Sequence, residues 1–220
     1  MNKSWFTRFE QDHVDPQYLK NMEDATHYFQ SWFSGRHEAR FCDMLMSMHK
    51  LVSAGGYTGF TNTDGPYVAT TSQFRGVTKD SWRPLLKKGW FKGLPNTEKI
   101  VPVFRAERLT GTLHLVNLPT GYELHLPHED HVFAFLSEMQ DCMFVLRDTF
   151  CAELLANYIQ YFVAGHPFER INFSICMAQV NAILYHYGWE PLHHEYFDFD
   201  CFAYDYGRLE TKFLTRLKRR

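Results

Sequence analysis

The chain has no long hydrophobic run. No stretch reaches the length of apolar residues needed to cross a bilayer, and residues 1–10, Met-Asn-Lys-Ser-Trp-Phe-Thr-Arg-Phe-Glu, lack the apolar h-region of a signal peptide. The expected location is the cytoplasm, or delivery as an effector without a cleaved signal. Charge of one sign is lacking too: a formal net charge of −2 gives no overall basic field, so neither nucleic acid nor a membrane is an expected partner. The one dense basic run, Arg216-Leu217-Lys218-Arg219-Arg220, reads as a solvated helix end whose cations favour the negative pole of the helix dipole. Cysteine is sparse, with five residues (Cys42, Cys142, Cys151, Cys176, Cys201), an odd number with no C-x-x-C pair. That pattern argues against a disulfide framework or a zinc knuckle and for reduced, mostly buried thiols. No internal repeat or low-complexity segment is present.

Aromatic residues, by contrast, are abundant. They make up 17% of a chain of 220 residues that is 45% hydrophobic, with 20 Phe and 12 Tyr. That composition supports a sizeable packed core, within one domain rather than two. Helical spacing of Tyr18, Met22, Tyr28, Phe29, Trp32 and Phe33, then of Phe41, Met44, Leu45, Met48, Leu51 and Val52 after a Ser-Gly break, predicts two helices between Pro16 and Val52. The stretch with Gly55, Gly56, Gly59, Gly65, Pro66, Pro84, Gly89, Gly93 and Pro95 reads as loop. Ile100 to Phe104, Gly111 to Asn117 and Tyr122 to Leu126 are strand-like, and predict a small antiparallel hairpin or meander. Pro127 is expected to open a helix running through Met139, and Asp148-Thr149 to cap the next, which ends at Gly165. His166-Pro167 forces a turn. A further apolar helix is predicted from Asn172 to Tyr187 with a stop at Gly188, and a last one from Gly207 to Arg219. The fold class expected is mainly α with a small β-hairpin.

The segment between the two central helices is Gly165-His166-Pro167-Phe168-Glu169-Arg170-Ile171-Asn172-Phe173-Ser174. It resembles the Fic family signature His-Pro-Phe-x-(Asp/Glu)-Gly-Asn-Gly-Arg, matching at His166, Pro167, Phe168 and Asn172. Flanking segments follow the family order. Ser72-Gln73-Phe74-Arg75 is similar to its Gly-x-Phe-Arg element, and Leu126-Pro127 through Met139 to its proline-started helix. Asn181-Ala182-Ile183-Leu184 and then Gly188-Trp189-Glu190-Pro191 resemble its helix ending in Gly-aromatic-x-Pro. The resemblance spans roughly residues 40 to 215. It implies a Fic-like helical domain over 41–220, with a hairpin flap inserted around 76–126 and an N-terminal helical extension over 1–40.

The resemblance also implies a chemistry. In this family the histidine is the general base that takes a proton from a target hydroxyl, usually on a protein, which then attacks a phosphate of a nucleotide. Imidazole suits that task because its pKa lies near neutrality. His166 would be the catalytic base, Pro167 and Phe168 would fix the loop, Arg75 belongs to the structural motif, and Asn172 would hydrogen-bond the loop backbone or the transferred phosphate.

The departures concern the phosphate half of the signature. The acidic metal-binding position is Arg170, which repels a cation, so Mg²⁺ bound in the family's manner is not expected. The two glycines are Ile171 and Phe173, for which positive φ is disfavoured, so the backbone anion nest is expected to be absent or reshaped. The motif arginine is Ser174, and a second arginine position is Met177. Two readings follow. In one, His166 remains a base in a divergent transferase, with Arg170, Asn172 and Ser174 meeting a nucleotide or nucleotide-linked donor, and Arg170 clamping phosphate by forked hydrogen bonds. In the other, the chain is a catalytically inactive protein-interaction module, and His166 is a relic or a structural histidine.

Two other constellations are weaker. Ser34-Gly35-Arg36-His37-Glu38-Ala39 approaches the family's inhibitory-helix pattern but has no arginine partner at Met177, and reads as a helix start with Ser34 as N-cap. His125, His128, Glu129 and His131, and separately His193, His194, Glu195, Asp198 and Asp200, contain metal-capable groups. Pro127 interrupts the first group and the second has no clean ligand spacing, so both read as solvated residues rather than metal sites.

Overall fold

The computed structural model describes residues 16–54, 61–62, 65–66, 82–85, 97–102, 110–118, 121–125, 132–168, 171–193, 201 and 206–220. These are mainly helical. The order is α1 (Pro16–Phe33), α2 (Phe41–Val52), β1 (Thr61–Asn62), β2 (Gly65–Pro66), β3 (Trp82–Leu85), β4 (Thr97–Pro102), β5 (Thr110–Leu118), β6 (Gly121–His125), α3 (Val132–Asp148), α4 (Ala152–Gly165), α5 (Asn172–His186) and α6 (Tyr206–Arg216).

α5 is the axis of the core. Every residue from Asn172 to Leu184 is buried, so all faces of its first three turns meet protein. α1 and α4 pack along it, α2 touches it, and α3 and α6 pack on α4. α1 contributes Tyr18, Met22, Ala25, Phe29 and Trp32, a stripe at spacings of three and four. α1 shares its core with α2 and α5, and Arg40, the extended N-cap of α2, lies between the first two helices of that core. Each fully buried Leu, Ile or Phe contributes roughly 1.5–3 kcal/mol.

Several polar groups inside this core are paired, whereas the buried Gln160 Nε2 on α4 has no hydrogen-bond partner among the described residues. The Tyr158 hydroxyl on α4 donates to Gln179 Oε1 on α5. The Gln179 amide nitrogen faces the sulfurs of Met44 and Met48 on α2 at 3.5 and 3.3 Å. Asn181 accepts from the Leu192 N–H at 2.8 Å and donates to the Leu192 carbonyl at 3.0 Å, holding the chain after α5 against that helix.

Several boundaries differ from the sequence expectations. Ser34 does not begin a helix: it lies in the turn closing α1, its hydroxyl donates to the Ser31 carbonyl at 3.2 Å, and Gly35 takes φ +74. The Arg36 N–H returns to the Ser31 carbonyl at 2.9 Å, a Schellman-type closure, and α2 starts only at Phe41. Asp148 and Thr149 end α3 instead of capping α4. The cap is Cys151, extended at φ −134, whose Sγ accepts from the Leu154 N–H at 3.4 Å. The start of the α3 region at Pro127 lies outside the described residues.

In the stretch read as loop, Trp82–Leu85 forms a strand. It pairs antiparallel with β6 in a four-stranded sheet of order β3-β6-β5-β4. β4, β5 and β6 pair successively as antiparallel neighbours.

The basic run is exposed at Lys218, Arg219 and Arg220, but these residues lie past the end of the last helix. α6 stops at Arg216, and the following residues lie beside the turn after α5, with Trp189 bridged to Arg219 and the Glu190 N–H bonded to the Lys218 carbonyl at 2.8 Å.

Candidate functional site

The loop carrying His166 joins the C-terminus of α4 to the N-terminus of α5. Gly165, the last residue of α4, is helical rather than left-handed. It is required because a Cβ there would sit 2.6 Å from Cβ and 2.9 Å from Cγ of Phe135 on α3. The left-handed role passes to His166, at φ 44 and ψ 58, whose N–H closes the helix on the Phe162 carbonyl at 3.0 Å. A non-glycine residue in this conformation is uncommon, and costs about 1–2 kcal/mol. His166 is half-buried, and its ring Nδ1 is shielded from solvent.

Pro167 and Phe168 turn inward. Pro167 is buried, and the Phe168 ring has no exposed surface and stacks on the imidazole of His49, with centroids 4.4 Å apart and planes 26° from parallel. His49 sits in the last turn of α2 and is itself buried. Asn172 completes the anchor: its Oδ1 accepts from the Phe168 N–H at 2.9 Å, and its Nδ2 donates to the Phe168 carbonyl at 2.7 Å. Of the two roles foreseen for Asn172, the structure realises loop closure. Its carbonyl and one amide hydrogen are spent on main chain, leaving one amide hydrogen.

Ile171 departs from expectation. It adopts φ 67 and ψ 7, the left-handed conformation that the sequence argues against for a β-branched residue, and it is buried. Apolar burial offsets the backbone cost. Consequently the α5 N-terminus begins after a left-handed residue although no glycine is present. Phe173 and Ser174 follow in the first turn, both buried. The Ser174 hydroxyl has no hydrogen-bond partner among the described residues. Helix N-termini direct unsatisfied N–H groups and a positive dipole outward, which favours an anion. Met177 is fully buried, so the second-arginine position belongs to the core.

A glycine test isolates the strain. Ile171→Gly is expected to be more stable than Ile171→Ala by about 1–2 kcal/mol, because both lose the same packing but only alanine keeps the left-handed penalty. At a helix-interior site the order is opposite, with glycine about 1 kcal/mol worse. Chemical denaturation of the two variants reads the sign directly, and an alanine variant more stable than the glycine one contradicts the strain.

Arg170 and Arg75 lie outside the described residues, as do His128, Glu129, His131, His194, Glu195, Asp198 and Asp200. His125 ends β6, in register with Trp82 and His114, and His193 is exposed. Among the described residues no three metal-capable side chains come together. The cysteines are free thiols. Burial, helped by Glu138 and Asp141, pushes the Cys142 thiol up to about 12, and burial, helped by Cys201, raises that of Cys176. Thiols held protonated in this way are poor nucleophiles.

Sequence reasoning missed His49. Its signal is its place on the apolar stripe of α2, between Leu45 and Val52, where a histidine is inward-facing by spacing alone. No family model matches the chain, and no curated protein matches it.

Proposed function

We propose that the chain is a divergent Fic-like group transferase, in which His166 takes the proton of a protein hydroxyl as that oxygen attacks the phosphorus of a nucleotide or nucleotide-linked donor. The new O–P bond replaces the bond to the leaving group, which departs with the donor's electron pair, while the proton stays on the imidazole. The observation that carries this reading is the backbone of the turn. Ile171 holds a left-handed conformation that glycine would adopt at no cost, and Phe168, two residues from His166, is fixed by His49 and Asn172. Burial compensates Ile171, and a strained turn beside an anchored histidine is of the kind that clusters at functional sites.

In this reading the first turn of α5, with the Ser174 hydroxyl, faces the donor phosphate, and Arg170 supplies the fork that replaces the metal. The strands β4 to β6 would form the flap over the target segment. The partner is a protein target. Among the described residues no helix is long and apolar enough to cross a membrane.

The second reading, a Fic-fold interaction module without catalysis, is favoured by the burial of Met177 and by the commitment of the Asn172 amide to the Phe168 main chain. Ligand binding separates the two. Phosphate-containing donors are expected to bind without Mg²⁺, and Arg170→Ala to weaken them by about 1.5–3 kcal/mol, the worth of a charge-assisted pair. Calorimetry with several nucleotides and nucleotide sugars, with and without EDTA, checks both points. Strict Mg²⁺ dependence contradicts the role of Arg170, and no binding by any donor favours the module.

A further inference from the structure

At the opposite end of α5 from His166 lies a second ordered feature. The helix has 15 residues, so at about 1.5 Å each it separates the two ends by roughly 22 Å. There the Arg220 N–H bonds to the Gly188 carbonyl at 3.1 Å, and Arg219 Nη1 donates to the Tyr187 carbonyl at 3.2 Å. These contacts lay two guanidinium groups on two rings. Arg219 sits 4.0 Å over Trp189, which stacks in turn on Phe150 with centroids 5.2 Å apart, and Arg220 sits 4.2 Å over Tyr185. Lys218, Arg219 and Arg220 are all exposed, and none makes an ion pair among the described residues.

A guanidinium stacked face-on keeps the edge of its plane for hydrogen bonds and has already lost much of its side-chain freedom. We propose that Lys218, Arg219, Arg220 and Tyr185 form a docking surface for an acidic segment of a partner protein, whose carboxylates meet the guanidinium edges while its apolar parts lie on the exposed tyrosine. This site is independent of the transferase reading.

Charge complementarity selects the occupant. The patch offers three clustered cations, Lys218, Arg219 and Arg220, too few for a polyphosphate backbone that must run across several. A membrane is disfavoured because the apolar face of α6, with Leu209 and Phe213, is already buried. Side-chain carboxylates, spaced along a peptide, can engage the forks one at a time.

The test is fluorescence anisotropy of a labelled Asp/Glu-rich peptide with the full chain at low and physiological salt. Binding weakened by salt is expected, with a loss on the order of tenfold to a hundredfold for Arg219→Ala/Arg220→Ala. Arg219→Lys/Arg220→Lys preserves charge and backbone and is expected to lose most of the same affinity, because lysine has no fork. Should the alanine pair unfold, the lysine pair and Lys218→Glu carry the test. Undiminished peptide binding by folded variants overturns the proposal, as does binding of RNA or phosphatidylserine vesicles in place of the peptide.

Discussion

Phe168→Ala is expected to destabilise the folded chain by about 3–5 kcal/mol, the range for deleting a buried aromatic ring whose cavity the surroundings cannot refill. Refilling is hindered on each side. His49, which stacks on the ring, is held on α2, and the main chain of Phe168 is tied by both of its hydrogen-bonding groups to Asn172. The same truncation at Phe133, which is 70% exposed on α3, is expected to stay within about 0.5 kcal/mol. Urea denaturation of both variants gives the comparison, and a Phe168→Ala loss below about 1 kcal/mol would show that the loop is not anchored as described. The functional consequence is separable from stability, since at temperatures where the variant remains folded the His166 loop has still lost its anchor.

The helices of the core were legible because burial imposes periodicity. α1, α2, α4 and α5 stand where apolar residues recur at three and four, and α5, buried along its first thirteen residues, is the segment with the most continuous apolar content. Their ends were less legible, because caps depend on which local group reaches an orphan N–H first. Asp148-Thr149 has better capping chemistry than Cys151, yet α3 continues through Asp148 and a thiol takes the cap. The end of α4 at Gly165 and the turn at His166 were legible, but the α3–α4 contact at Phe135 that requires a glycine within the helix was not.

Within the candidate site, the histidine and its phenylalanine anchor were readable as a local motif. Two features were not. Ile171 takes a conformation its own residue type disfavours, since burial in the assembled core outweighs local preference. His49 reaches Phe168 from 119 positions away in the chain, a pairing that no local pattern encodes. The docking of Arg219 and Arg220 on Trp189 and Tyr185 is likewise long-range, and local sequence recorded only the charges.

The second large effect concerns the chemistry of His166. If its imidazole is the general base, replacing it is expected to reduce transfer by about 10²–10⁴-fold, the usual worth of a positioned proton acceptor. Alanine at φ 44 leaves the turn strained, so His166→Asn is the companion variant: asparagine tolerates the left-handed conformation and accepts no proton. Both are expected to keep the fold, because the anchor is Phe168 and the ring of His166 is only half-buried.

The direct measurement is incorporation of label from nucleotide and nucleotide-sugar donors into proteins of a cell lysate, comparing the unaltered chain with His166→Ala and His166→Asn at matched folded fraction. The account predicts labelling of a protein hydroxyl by the unaltered chain, reduced about 10²–10⁴-fold in both variants with melting temperatures nearly unchanged. Equal labelling by all three, or none by the unaltered chain with any donor, would contradict it.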